Sequence, residues 1–520
     1  EANALTLDWR TLIKPDELNF IMGNPPFVGY SNQTKEQKAD LLAVYVDEAG
    51  KPYKTAGKID YVAGWYFKAA EFIRDSKVKA AFVSTNSITQ GEQVAGVFKP
   101  LKDRFGIHID FAWKTFKWSS EAKDKAQVHV VIIGFSYTPP ALRATYPNLG
   151  EARIFSASSS PLIRGDVNAV DRGVKGAKLI FDGNKAIECA NINFYLVPGD
   201  DVFIEARKEP ICKDVPEMRA GGKPAEGGNL ILTLDERDEL LQKNPAAAKF
   251  IRPFMMGEDF IQRRPRYCLW LVDANPDDIA KCPRVVERVK RVREFRLASK
   301  KEATQRKAET PTLFDERVEM TTNYIAIPKV SAGTRKYIPI DWLDASVIPG
   351  DKLFIIPKST LYHFGILTSR IHMAWMRATA GRLGIGYSYS NTIVYNNFVW
   401  PGYTSPSDKS DTSPNLGEAR EKTKISCAPC QGGEGQLAGE GVKWVKRIES
   451  TAQKILDTRA KYPESSFASL YNDDLMPPEL KKAHKENDAA VCEAYGFKKN
   501  ITEEEIVSEL MKLYEKMAEN

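Results

Sequence analysis

A chain of 520 residues with 43% hydrophobic and 27% charged residues is too long for one ordinary core and implies several domains. That composition excludes a disordered or fibrous protein, and the longest clean apolar run, Val128 to Phe135 broken by His129, is far too short to cross a bilayer. A formal charge of +6 is modest for the length and demands no anionic partner by itself.

The first residues, from Glu1, lack the basic stretch, apolar segment and small-residue cleavage site of a signal peptide. Processing or truncation is therefore expected to have removed whatever came before. Seven cysteines, thinly spread and mostly in apolar contexts, suit a reducing cytoplasm better than a disulfide framework.

Up to about residue 150 apolar strands alternate with helical stretches. Leu18 to Met22, Ala80 to Ser84, Ile107 to Trp113 and Val128 to Phe135 read as strands. Tyr61 to Arg74 reads as a long helix with its apolar residues on one face. Such alternation predicts an α/β sheet with helices packed on it.

Residues 151–185, Ser- and Gly-rich, read as a connection. An α+β unit is expected over 186–401, with strands in "YCLWLV", "YIAIPKV" and "KLFIIP" and helices over Leu234 to Gln242, Arg284 to Ala308 and Tyr362 to Thr379. Residues 402–441 are polar, unperiodic and rich in Gly, Ser and Pro, which predicts a flexible insertion. Residues 442–520 read as helical, with Thr502 to Glu505 as an N-terminal cap.

The basic text of this middle unit, "RRPR" at 263–266 and Arg284 to Lys307, has two readings. One is a solvated helix with Glu partners, the starting preference for a charge run; the other is a phosphate-tracking surface. Cys427-Ala-Pro-Cys430 lacks the second pair that a zinc site needs, and no metal site is expected.

The informative motif is "FIMGNPPFVGY", residues 20–30. Asn24-Pro25-Pro26-Phe27 follows an apolar strand, and the plain reading is a strand stopped by an Asn-Pro turn. The chemistry suggests more. An exocyclic amine conjugated to a purine is a poor nucleophile because its lone pair is delocalised. An asparagine oxygen and the next carbonyl can each accept one N–H and aim that lone pair. Two prolines hold the carbonyl rigid, and an aromatic fourth residue can stack on an extruded base. Asp8-Trp9, sixteen residues before Asn24, supplies a carboxylate and a ring of the kind that holds an adenosyl moiety.

With these residues in view, the chain resembles the class I DNA adenine-N6 methyltransferases, and more closely the MmeI-like family of type IIL restriction-modification enzymes. The likeness continues through "KIDYVAGWYFKAAEFI" (58–73), "AAFVSTNSITQGEQV" (80–94) and "FKWSSEAKDKAQVHVVIIGF" (116–135), which are similar to the later methyltransferase motifs. It runs on through 192–232, 327–343 and 362–401, similar to a target-recognition domain, and 475–491, similar to closing helices. Only 402–441 finds no counterpart.

The resemblance implies a partial Rossmann-like methyltransferase sheet over 1–150, an α+β target-recognition domain, and a helical C-terminal region. It implies an S-adenosylmethionine-dependent, adenine-specific DNA methyltransferase with double-stranded DNA as partner and no membrane. Asn24, Pro25, Pro26 and Phe27 would be catalytic, Asp8 and Trp9 would hold the cofactor's adenine, and Phe116 and Trp118 would line the flipped-base pocket. Asp60 and Trp65 would support the cofactor side by packing. Lys223, Arg335, Lys336, Arg377, Arg382 and Tyr387 would contact DNA, although a structural role competes for each; "GGKPAEGG" at 221–228 would press its backbone on phosphate or be a plain surface loop.

The departures count too. The Gly-rich turn that cradles the cofactor's methionine end has no match, since "GGEGQLAGEG" at 432–441 lies on the wrong side of Asn24. The chain therefore reads as a carboxy-terminal portion, inactive alone, whose missing front half would complete it. Mg²⁺ would be needed only by a nuclease upstream. The alternatives are a DNA-binding specificity module without catalysis and a nuclease-free phage-defence methyltransferase. The recognised sequence and the oligomeric state stay open.

Overall fold

The computed structural model describes residues 3–118, 128–138, 153–156, 177–264, 266–401 and 440–519. It divides into two compact units. The first comprises Glu1–Arg207, Ala374–Ile385 and Thr502–Asn520, the second Lys208–Met373 and Gly386–Ile501.

The first unit is built on a seven-stranded sheet. In chain order its elements are β1 (Phe20–Gly23), α1 (Lys35–Val44), α2 (Ala63–Ile73), β2 (Lys79–Thr85), α3 (Glu92–Phe105), β3 (Ile107–Trp118), β4 (Val128–Tyr137), β5 (Arg153–Ser156), β6 (Lys178–Asp182) and β7 (Lys185–Cys189). The spatial order is β1-β2-β4-β3-β6-β7-β5. β1 and β2 run parallel, while β4 is inserted antiparallel between β2 and β3.

Alternation makes β2: Ala80, Phe82 and Ser84 are buried while their neighbours are only partly so, the period of two that a strand imposes. α2 covers one face. Its Tyr66 stacks on Phe135 of β4 at 5.3 Å between centroids and hydrogen-bonds the Ser84 hydroxyl at 2.8 Å, so a buried phenol keeps its partner. Burial drives that hydroxyl's pKa well above its ordinary value.

Residues 151–185 are not a bare connection, because β5, β6 and the start of β7 fall within them and join the sheet. The strands of the β6–β7 hairpin are five residues each, separated by a turn at Gly183-Asn184 where Gly183 has φ +55°. Segments that short carry too few alternations to stand out from polar text.

The second unit holds two four-stranded sheets. One runs Ile348–Pro349, Ile251–Met255, Arg266–Leu269, Ile231–Leu232; the other runs Asp341–Leu343, Tyr324–Pro328, Leu353–Ile356, Arg219–Ala220. Helices Leu361–Leu367, Glu440–Ala460 and Pro478–Ala494 pack together. Their crossing is close: a Cβ at Gly365 would lie 2.6 Å from Ile448, and Asn487 Nδ2 donates to the Gly365 carbonyl at 2.7 Å.

Two helices expected as continuous are broken. Tyr362 to Thr379 is Leu361–Leu367 followed by Arg370–Thr379. Thr368 and Ser369 hydroxyls donate to carbonyls one turn back, and the Arg370 N–H is taken by the Asp488 carboxylate at 2.7 Å, an example of local side-chain bonds competing with the helix ladder. Arg284 to Ala308 is Pro283–Leu297 and then Glu302–Arg306. The expected helical tail is Pro478–Ala494 and Glu503–Ala518, and the latter begins with a capping box between Thr502 and Glu505.

Among the described residues no helix is long and apolar enough to span a membrane. The five described cysteines are buried and none is in a disulfide, and burial pushes the Cys189 and Cys268 thiols up to about 12.

Candidate active site

β1 ends at Gly23, which pairs with Phe82 of β2, and the next residue is Asn24. Asn24 is exposed, Pro25 buried and Phe27 partly buried. Neither the Asn24 amide nor the Pro25 carbonyl is hydrogen-bonded by another described residue, leaving both acceptors available. A loop holding unused acceptors must be fixed by other contacts.

Those contacts follow at once. The Val28 carbonyl accepts from Tyr61 N–H at 2.9 Å, and the Tyr30 N–H donates to Asp60 Oδ1 at 3.0 Å. Asp60 is 4% exposed. Its other oxygen accepts from the Ser87 and Thr85 hydroxyls, and its own N–H donates to Gln93 Oε1 at 3.1 Å. One buried carboxylate thus binds the loop after Phe27 to the turn between β2 and α3. Asp60 therefore supports the acceptor loop directly, by hydrogen bonds, where the sequence suggested packing on the cofactor side. A lone acidic residue ahead of an apolar helix carries no signal of this.

Asp8 caps the short helix Trp9–Thr11, with one oxygen accepting from Arg10 N–H at 3.0 Å. Its second oxygen is hydrogen-bonded to no other described residue, and the side chain is exposed. Trp9 packs edge-on against Phe72 at 5.8 Å, its indole N–H spent on the Ala4 carbonyl at 2.8 Å. A free carboxylate oxygen beside an anchored ring fits the adenine end of S-adenosylmethionine. β1 is the terminal strand of the sheet, with Phe20 65% and Met22 81% exposed.

Phe116 and Trp118 sit near the end of β3, opposite Val130 and Val128 of β4. Thr85, at the end of β2, also pairs with Val130. The two rings therefore lie along the same sheet edge as Asn24, three strand positions across, a lateral offset of about 14 Å at ordinary strand spacing. Residues 119–127, beyond Trp118, fall outside the described residues.

The DNA-contact candidates divide. Arg377 is engaged: its Nε and Nη2 make a fork on the Glu503 carboxylate at 2.6 and 2.7 Å, the bidentate geometry a base reader would need for guanine. Tyr387 is 5% exposed, in a strand paired with Val330–Ser331, so it packs. Both engagements have one cause, tertiary partners far along the chain. Lys336 is exposed, Arg335 donates to Ser331 Oγ at 3.1 Å, and Arg382 Nη1 donates to the Ile385 carbonyl at 3.4 Å.

Lys223 is half exposed, with its ammonium 3.4 Å from Asp315. The phosphate-cradle reading of "GGKPAEGG" is overturned at its start: the N–H groups of Gly221, Gly222 and Lys223 go to Leu353, Pro349 and Glu316 carbonyls. A Cβ at Gly221 would stand 2.3 Å from the Gly350 oxygen, so glycine serves close backbone packing there.

The basic run resolves toward the solvated helix. Arg284 and Arg291 pair with Glu287, and Arg288 with Glu236. Arg296 is fully buried and donates to the Ala225, Lys307, Thr310 and Leu313 carbonyls. In "RRPR", Arg263 donates to the Tyr462 and Ser465 carbonyls and Arg266 approaches Asp259. Cys427 and Cys430 lie outside the described residues, among which no cluster of three or more His, Cys, Asp or Glu is placed to hold a metal.

The strand order and the Asn-Pro-Pro-Phe loop at a parallel strand's end define the first unit as a methyltransferase-type α/β domain. Family models agree along the chain: the MmeI DNA-methyltransferase domain matches residues 1–146, the MmeI target recognition domain 198–402, and the MmeI C-terminal domain 442–520. DNA methyltransferase A of Bacillus subtilis (strain 168) is 32% identical over all 520 residues, which cover 50% of that protein. A solved structure of the type IIL restriction-modification enzyme MmeI in complex with DNA is 37% identical with a TM-score of 0.77, covering 100% of this chain and 60% of that one. The chain belongs to the MmeI-like family of restriction-modification methyltransferases with their own target-recognition domain, and spans about half to three-fifths of the length of these relatives.

Proposed function

We propose that this chain carries the adenine-grasping and DNA-reading parts of an S-adenosylmethionine-dependent DNA adenine-N6 methyltransferase. The observation that carries this reading is the pair of uncommitted acceptors, the Asn24 amide oxygen and the Pro25 carbonyl, on a loop tied down by Asp60. Each accepts one N–H of the adenine N6 amine, which draws the nitrogen toward tetrahedral geometry and directs its lone pair. Preorganised acceptors of this kind cost no rearrangement at the moment of reaction. Phe27 stacks on the extruded base, and Phe116 with Trp118 continues the pocket along the same edge.

S-adenosylmethionine supplies an electrophilic sulfonium methyl when bound. Asp8 accepts from its adenine and Trp9 covers that ring. The unpaired side of β1, with Phe20 and Met22 exposed, is where an element cradling the methionine end would add to the sheet, so the 520 residues alone do not methylate in this reading. The partner is duplex DNA, as in the MmeI complex, with Lys223, Arg335, Lys336 and Arg382 as contacts.

The test incubates the full-length polypeptide with isotope-labelled S-adenosylmethionine and duplex DNA, digests the DNA to nucleosides and identifies the labelled one. Label in N6-methyl-2′-deoxyadenosine is expected. Label only in a cytosine product, or sequence-selective binding with no transfer, would overturn the assignment.

A further inference from the structure

Strand Gly381–Leu383 ends in a turn at Gly384, whose φ of +61° is one that glycine adopts freely. The residues on either side of it are large and apolar, yet Leu383 is 68% and Ile385 54% exposed. Nothing in an unassisted globular surface favours presenting two such side chains together. The turn is braced by Arg382 donating to the Ile385 carbonyl.

Its base is anchored beside the candidate active site, within the same compact unit. Gly91 N–H donates to the Thr379 carbonyl at 3.2 Å, and a Cβ at Gly91 would lie 3.4 Å from Gly381 N. Gly91 follows the turn whose Ser87 hydroxyl is bonded to Asp60, and precedes Gln93, which accepts from Asp60 N–H. Asp60 in turn holds Tyr30, three residues after Phe27. Hydrogen bonds therefore lead step by step from the acceptor loop to the root of the exposed apolar turn.

From this geometry we infer that Leu383 and Ile385 form a wedge that enters the DNA base stack and occupies the space vacated by the target adenine. The inference rests on the methyl-transfer reading above. Extruding a base costs unstacking energy, and apolar side chains inserted between base steps are a known way to offset it. The charge pattern suits this partner: residues 377–391 contain no carboxylate and, besides Arg377 that is forked on Glu503, carry Arg382 within the turn itself, so the turn is compatible with a polyanion. Leu383 and Ile385 are positioning residues, acting on the equilibrium for extrusion and not on the reacting atoms.

The test uses the full-length protein and a duplex carrying the site at which it methylates, first mapped by sequencing DNA modified by the wild type. A second duplex lacks the base opposite the target adenine, so extrusion is already eased. Leu383→Ala/Ile385→Ala should slow methyl transfer about tenfold on the paired duplex and stay within about twofold of wild type on the duplex lacking the opposing base. Leu383→Met/Ile385→Leu should retain the rate on both. An unchanged rate on the paired duplex, or an equal loss on both duplexes, would overturn the wedge while leaving the methyltransferase reading intact. A wild-type protein that methylates neither duplex would overturn the parent reading, and the wedge with it.

Discussion

At the scale of single residues, the proposed function turns on Asn24 and its tether. In that reading Asn24→Ala removes one of the two acceptors for the amine, and loss of a preorganised polar contact of this type costs about 10²-fold or more in turnover. Duplex affinity should be retained, which separates grasping the amine from reading the DNA. Arg377 illustrates the opposite outcome. Its guanidinium is forked on Glu503, so Arg377→Ala should leave the methylated sequence unchanged, as read by sequencing of modified DNA. It should cost at most about 1 kcal/mol of stability, because the pair is partly exposed and screened. A shift in the methylated sequence would restore Arg377 as a base reader. The Asn24 motif stands out in the sequence because its four residues are contiguous. The ion pair of Arg377 is not foreseeable from the sequence, because its partner lies 126 positions away, where no local pattern reaches.

At the scale of elements, the sheet was largely visible before the structure. β1 to β4 overlap the apolar runs read as strands, and α2 lies within the expected Tyr61 to Arg74. What escaped were short strands and helix breaks. The break after Leu297 has a cause that charge counting conceals: one arginine in a long basic run, Arg296, turns inward and gathers carbonyls from the chain that follows. Arg296→Leu should therefore be strongly destabilising, by about 3–5 kcal/mol, since it strands several buried acceptors at once. A neighbouring Arg291→Leu should change little, because its contact is with Glu287 on the exposed helix face. Urea denaturation of the two variants checks both; equal effects would mean the inward contacts carry no special weight.

At the scale of the whole molecule, three buried histidines set the response to acid. Burial lowers His363 to about 4 and His372 and His484 to about 3, whereas an unfolded histidine titrates near 6.5. Below that value the unfolded chain binds protons the folded chain refuses. Stability is thus full above about pH 6.5 and falls as the pH drops toward 4, with a limiting slope of about 4 kcal/mol per pH unit for three such groups. Asp488, raised by its own burial, opposes this trend at the acid end. Urea midpoints at descending pH should fall steeply over this window, and a flat profile would contradict the buried, neutral assignment.

The same scale exposes the limit of sequence reading for architecture. Glu503–Ala518 was expected with the other C-terminal helices, and Ala374–Ile385 with the middle unit, yet both belong to the compact unit that holds Asn24. Chain order suggests three successive domains, and the three family models match in that order, while the packing gathers distant segments into two compact units. No periodicity in a single sequence records such returns of the chain.

The central claim, that the loop from Asn24 to Phe27 holds an adenine amine for methylation, is tested most directly in cellular DNA. Cells lacking other adenine methylation would express the full-length protein or its Asn24→Ala variant, and their genomes would be sequenced for N6-methyladenine. Modification at one recurring sequence is expected with the wild type, and a loss of about 10²-fold or more with the variant, at equal protein levels. Undiminished methylation in the Asn24→Ala cells would contradict it.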